Sequence, residues 1–203
     1  MENLCINITV TGHKGKRLGN DGWNIYSTSN IILQDIILAS FKKIAETNKS
    51  HPINIYLGGD LGTDQIAFFA AKRFRELYPN LVKIILCIPY IGFDDKWSVA
   101  NKNELSKEIH ECDKLIVVDA DVLDEYYMSD NLFTKCVKRS EYMIDNSDLL
   151  IAVFDNIKTG DTYNSICYAK EKYKKIKYID TNYMIPFESE REESFTINDK
   201  TKI

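Results

Sequence analysis

Residues 11–19 read TGHKGKRLG, directly after LCINITV at residues 4–10. The first part is apolar and rich in β-branched side chains, the composition of a strand. The second part holds glycines and basic residues and leads into a long helical pattern. A buried strand that empties into a glycine-rich, cationic turn before a helix is the opening unit of an α/β sheet. The free backbone amides of such a turn suit an anion, and His13, Lys14, Lys16 and Arg17 would neutralise it. The loop lacks the GxxxxGK[ST] and GxGxxG orders. Read alone, it fits a solvated basic loop equally well.

The same unit recurs along the chain. Residues 26–48 are helical, with Leu33, Ile37, Phe41 and Ile44 at steps of four, four and three. Residues 53–57 form a strand stopped by Gly58 and Gly59, and residues 63–78 form a helix ended by Pro79 and Asn80. The run 81–88 is almost continuously apolar, as expected for a strand covered on both faces. A charged helix is expected at 98–111, a strand at 114–118, a helix at 132–146, a strand at 149–154, a helix at 162–174 and a last strand at 176–179. Strand and helix alternate throughout. That order predicts an α/β fold: a doubly wound, mostly parallel sheet flanked by helices, with its ligand at the carboxyl ends of the strands.

Composition narrows the function. The chain has 203 residues, 44% of them hydrophobic, enough for one domain with a sizeable core. We expect that domain over residues 1–182 and a polar extension over 183–203. Net charge is −4 and the pI is about 5.5. Nucleic-acid binders carry a basic footprint, so no nucleic-acid partner is expected. No apolar stretch reaches membrane-spanning length, so no membrane association is expected. The N-terminal residues lack a signal-peptide order, so a cytoplasmic location is expected. Five widely spaced cysteines without CxxC read as buried thiols in a reducing compartment. His13, His51 and His110 form no ligand spacing, so no metal is expected.

Three further loops carry chemistry. GGDLGTD (residues 58–64) places Gly58, Gly59 and Gly62 before a helix, with Asp64 able to cap that helix or take ribose hydroxyls. It also fits a tight strand-to-helix turn. IPYIGFDDKW (residues 88–97) offers Pro89 at a strand end and Tyr90 or Trp97 for base stacking, or else a lid over the core. In the fourth, Gly160, Asp161 and Thr162 open a helix and form a candidate phosphate seat. Upstream of it, Arg139 has the planar fork that grips phosphate, and also the makings of a surface ion pair.

Taken together, "TGH", "GGDLGTD", "IPY…W", "R…YM…SDLLIAVFD" and "TGDT", in this order over roughly residues 4–180, resemble the stand-alone YpsA-like proteins. These belong to the SLOG superfamily of Rossmann-like nucleotide-binding domains, which includes cytokinin-activating hydrolases, DprA and sensors of ADP-ribose-like signals. The resemblance implies a nucleotide-derived small-molecule partner, such as ADP-ribose or a cyclic relative. Thr11, Arg139 and Thr162 would hold phosphate, Gly12, Gly58, Gly59, Gly62 and Gly160 would admit the ligand, and Asp64 would take ribose. The hydrolase branch reads R-x-x-x-M, an aspartate, then PGGxGTxxE. Arg139, Met143 and Asp148 match, but Ser165 stands where the catalytic glutamate belongs.

A missing acid favours binding over turnover. The expected function is therefore non-catalytic binding of such a ligand, without a further cofactor, with sequestration of a signalling nucleotide as one biological form. A hydrolase with a relocated acid is the enzymatic alternative; Asp60, Asp64, Asp94, Asp95, Asp155 and Asp161 lie in or beside the loops. An interaction module acting through helix 98–111 and the tail is the third. Apolar residues Ile31, Ile32, Leu33, Ile36, Ile37 and Leu38 spread widely around helix 26–48, so a homo-oligomer is expected, although burial on two faces within one domain gives the same pattern.

Overall fold

The computed structural model describes residues 5–18, 24–48, 51–121 and 131–181. The expected extension at 183–203 lies outside them, as do Leu4 and Gly19. The elements are β1 (Ile6–Gly12), α1 (Thr28–Thr47), β2 (Ile53–Leu57), α2 (Thr63–Leu77), β3 (Val82–Ile88), α3 (Val99–Glu111) and β4 (Lys114–Val117). They continue with α4 (Val118–Asp121), α5 (Leu132–Asp145), β5 (Leu149–Phe154), α6 (Asp161–Glu171) and β6 (Lys175–Asp180). Gly15–Leu18 add one 3-10 turn after β1.

All pairings are parallel, in the order β4-β3-β2-β1-β5-β6. The strands read as continuous apolar runs because both faces are covered. In β5, Leu149, Ile151 and Val153 join the core under α1 and α2, while Leu150, Ala152 and Phe154 face Ile144, Ile166 and Ala169 of α5 and α6. In β3, Ile84 and Leu86 face the first core, and Ile85 and Cys87 meet Met143 on the other side. This two-residue alternation fixes the register of each strand.

Boundaries differ from the sequence expectation where local hydrogen bonds decide them. Ser27 caps α1, its hydroxyl accepting from Asn30 N, so the helix starts at Thr28. β1 runs on to Gly12, which pairs with Val153. β4 stops at Val117 because Val118 opens a short helix, whose Asp119 amide donates to the Pro89 carbonyl at 3.0 Å. Asp161 belongs to α6, which ends at Glu171 rather than Lys174. Tyr173 takes a left-handed φ of 54°, and Tyr173 N and Lys174 N close back on Lys170 O and Ala169 O. That double closure is a Schellman stop. On α1, Leu33, Ile37, Leu38, Phe41 and Ile44 are buried within the domain, while Ile31 and Ile32 are exposed. Among the described residues no helix is long and apolar enough to cross a membrane.

Candidate functional site

Strand order turns at β1. The chain adds β2, β3 and β4 on one side and β5 and β6 on the other. The loops after β1 and β5 therefore diverge at the carboxyl end of the sheet and leave a crevice, the place where open parallel sheets take ligands. The loop after β2 borders it.

His13 follows β1 and is 3% exposed. Its carbonyl accepts from Thr63 N at 3.2 Å and Thr63 Oγ1 at 2.8 Å, tying the loop to the start of α2. Its ring bridges to the other side of the crevice: Nε2 lies 2.9 Å from Asp155 Oδ1, and Nδ1 lies 3.1 Å from Thr162 Oγ1. Arg17 completes the bridge. Its Nε and Nη2 donate to Asp155 Oδ2 and Oδ1 at 2.7 and 2.6 Å, and its Nη1 donates to Thr159 O at 3.0 Å. Burial raises the Asp155 pKa, but Arg17, the Ile157 amide and His13 outweigh it and hold the carboxyl at about 2. Burial lowers the His13 pKa more than Asp155 restores it. Nε2 meets both the Asp155 carboxylate at 2.9 Å and the Asp155 backbone N–H at 3.2 Å.

A second cluster lies at the end of β2. Arg139 reaches across from α5, 8% exposed, and donates through Nη1 to Gly58 O at 2.8 Å and Asp60 Oδ2 at 3.4 Å. Lys14 also pairs with Asp60. Burial opposes the charge on Asp60, but Arg139 and Lys14 win and hold its pKa below the ordinary value. Asp64 faces the reverse balance. Burial outweighs Arg139 and pushes its pKa up to about 6. A Cβ on Gly58 would stand 2.5 Å from Asp64 Oδ2 and 2.9 Å from Arg139 Cζ, so glycine is what lets these two side chains converge. Gly62 holds a φ of +91° beneath the His13 carbonyl.

Arg139 Nε has no hydrogen-bond partner among the described residues. The guanidinium borders a cleft shared with Thr9, Thr11, Asp64 and Ser165. The cleft encloses only about 10 Å³, room for one water-sized group. A cavity of about 330 Å³ lies elsewhere: an apolar hollow between α3 and the outer strands, lined by Ile88, Phe93, Leu105, Ile109, Leu115 and Val117.

The crevice thus gathers Thr11, Gly12, His13, Arg17, Gly58, Gly59, Gly62, Asp64, Arg139, Gly160, Asp161 and Thr162 around the ends of β1, β2 and β5. Pro89, Tyr90 and Trp97 stand beyond the end of β3. Tyr90 lies under the Lys135 ammonium, 5.6 Å from it. Trp97 packs edge-on against Phe93, at 5.2 Å between centroids, and against the core. The most connected site residue is Asp155, which sequence reading treated only as a spare acid. Its signal was its place immediately after β5. Glu108, on the apolar side of α3 with Leu105, is 2% exposed. Neither of its carboxylate oxygens has a hydrogen-bond partner among the described residues.

Comparison with known proteins agrees with this architecture. The chain is 34% identical over 146 residues to YoqJ, an uncharacterised SPbeta prophage-derived protein of Bacillus subtilis (strain 168). The match covers 70% of this chain and 82% of that protein. The model of YpsA, described as the YspA SLOG family, matches residues 8–193. The chain belongs to the YpsA family of SLOG proteins.

Proposed function

We propose that the crevice binds a nucleotide-derived ligand of the ADP-ribose class and holds it without turnover. The observation that carries this reading is the convergence of Arg139, Asp64 and the β1 and β5 loops at the point where strand order turns. SLOG membership supports nucleotide chemistry. Ser165 supports binding over cleavage: it borders the Arg139 cleft and brings a hydroxyl where the hydrolase pattern has a carboxylate. In this reading Arg139 and the β2–α2 turn meet phosphate, and Tyr90 stacks the base. A stand-alone binder of this kind would sequester a signalling nucleotide, and the prophage origin of YoqJ fits such a role. Self-association through the exposed Ile31 and Ile32 of α1 is part of the proposal.

One observation favours hydrolysis as the second reading. Asp64 lines the same cleft as Arg139 and Ser165, and its carboxyl titrates at about 6, near the working range of a general acid. Calorimetric titration of ADP-ribose into wild type and Arg139→Ala tests the binding reading. The variant loses most of the affinity; unchanged affinity contradicts the assignment. Product formed over many turnovers would instead establish the hydrolase.

A further inference from the structure

Arg139 lies among carboxylates, and they decide what accompanies an anion that reaches it. Its Nη1 donates to Gly58 O and Asp60 Oδ2, while its Nε is buried and has no hydrogen-bond partner among the described residues. Arg139 and Asp64 line one cleft of about 10 Å³, room for a single oxygen. Asp64 Oδ2 accepts from Asp60 N at 3.2 Å. An anionic oxygen bound to Arg139 in this cleft stands against the Asp64 carboxylate. Two such oxygens repel when both are ionised, and a proton on one turns the repulsion into a hydrogen bond.

The surrounding groups leave Asp64 as the one to take that proton. Arg139 from α5 and Lys14 from the loop after β1 are cations. Asp60 pairs with both, and they hold it ionised. With Asp64 also ionised, these four charges balance, and an arriving anion puts negative charge in excess. Glu108 of α3 and Cys87 of β3 also feel the charge of Asp64. Burial pushes them up to about 8 and about 12, so both already hold their protons at neutral pH. Asp64 titrates at about 6, because burial opposes its charge more than Arg139 supports it.

We propose that Asp64 takes a proton from solvent when an anionic group of the ligand binds Arg139, so that the cleft holds phosphate with Asp64 as a neutral, hydrogen-donating acid. This rests on the nucleotide-binding reading above. Asp64 is then a specificity residue: ionised it rejects an anion, and protonated it donates to one.

The test is calorimetric titration of ADP-ribose into wild type, Asp64→Asn and Glu108→Gln at neutral pH, in buffers of differing ionisation enthalpy. The two phosphoryl groups of ADP-ribose are diesters and exchange no proton near neutrality, so any proton uptake belongs to the protein. Wild type takes up most of one proton per ligand, and its affinity falls by up to about tenfold per pH unit as pH rises above 6. Glu108→Gln keeps the uptake. Asp64→Asn loses it, and its affinity stays level over the same range. Binding without proton uptake in wild type, or full uptake in Asp64→Asn, overturns the inference while leaving nucleotide binding intact. A wild type that does not bind ADP-ribose overturns the binding reading, and this one with it. Infrared difference spectra of wild type carrying carbon-13-labelled aspartate need no variant to fold. Ligand addition should convert a labelled carboxylate band to a labelled carboxylic acid band; no such conversion overturns the inference.

Discussion

Arg17 and Asp155 lie 138 positions apart in sequence and meet through two parallel hydrogen bonds, 2.7 and 2.6 Å long, across the crevice. This pair, with His13 beside it, joins the loops after β1 and β5. The crevice is therefore a bridged site whose walls are held by charge-assisted bonds.

Removing the fork should cost stability. Arg17→Met strips Asp155 of two charge-assisted bonds and should destabilise the fold by about 2 kcal/mol. Urea unfolding measures it. The pH dependence has a definite sign. Asp155 titrates at about 2 when folded, against an ordinary 3.8. Its contribution is present above 3.8 and is lost as pH falls towards 2. In Arg17→Met that acid loss should begin at higher pH. A variant with wild-type stability and an unchanged acid limb would show that the bridge is loose in solution.

Glu108 should make the protein less stable in mild base. Burial, then the charges of Asp64, Glu104 and Glu111, push its pKa to about 8 from 4.5. The folded state therefore binds a proton that the unfolded chain has released, and stability falls as pH rises from 4.5 to 8. Glu108→Gln keeps the shape without the charge and should flatten this decline. Asp64, titrating at about 6, leaves a smaller slope below neutrality. Thermal denaturation from pH 5 to pH 8 compares the two proteins, and parallel curves would contradict the assignment.

Gly58→Ala should damage both fold and site. The added methyl meets Asp64 Oδ2 at 2.5 Å and Arg139 Cζ at 2.9 Å. Overpacking of this kind costs about 1–3 kcal/mol. Separation of Arg139 from Gly58 O should weaken ADP-ribose binding as well. A stable variant with full affinity would show that the cluster yields easily.

The sheet was legible because both of its faces are covered. β2 and β5 stand at the residues that apolar runs alone indicate, since such runs need no partner to be recognised. The glycine turns after β1 and β2 and before α6 were legible too, as interruptions of those runs. Pairing was hidden. Nothing near Arg17 announces Asp155, and nothing near Arg139 announces Asp60 or the Gly58 carbonyl, because those contacts exist only once strand order is set. Thr162 shows the cost. Its place after Gly160 suggests a free phosphate ligand, while its hydroxyl is already paired with a histidine 149 positions away.

The most direct measurement is mass spectrometry of small molecules released by heat from the purified protein, followed by titration of ADP-ribose into the emptied protein. The account predicts an adenine nucleotide of the ADP-ribose class, recovered intact and in stoichiometric amount, and saturable rebinding that Arg139→Ala abolishes. An empty protein that fails to bind ADP-ribose at millimolar concentration, or one that returns the ligand cleaved, would contradict it.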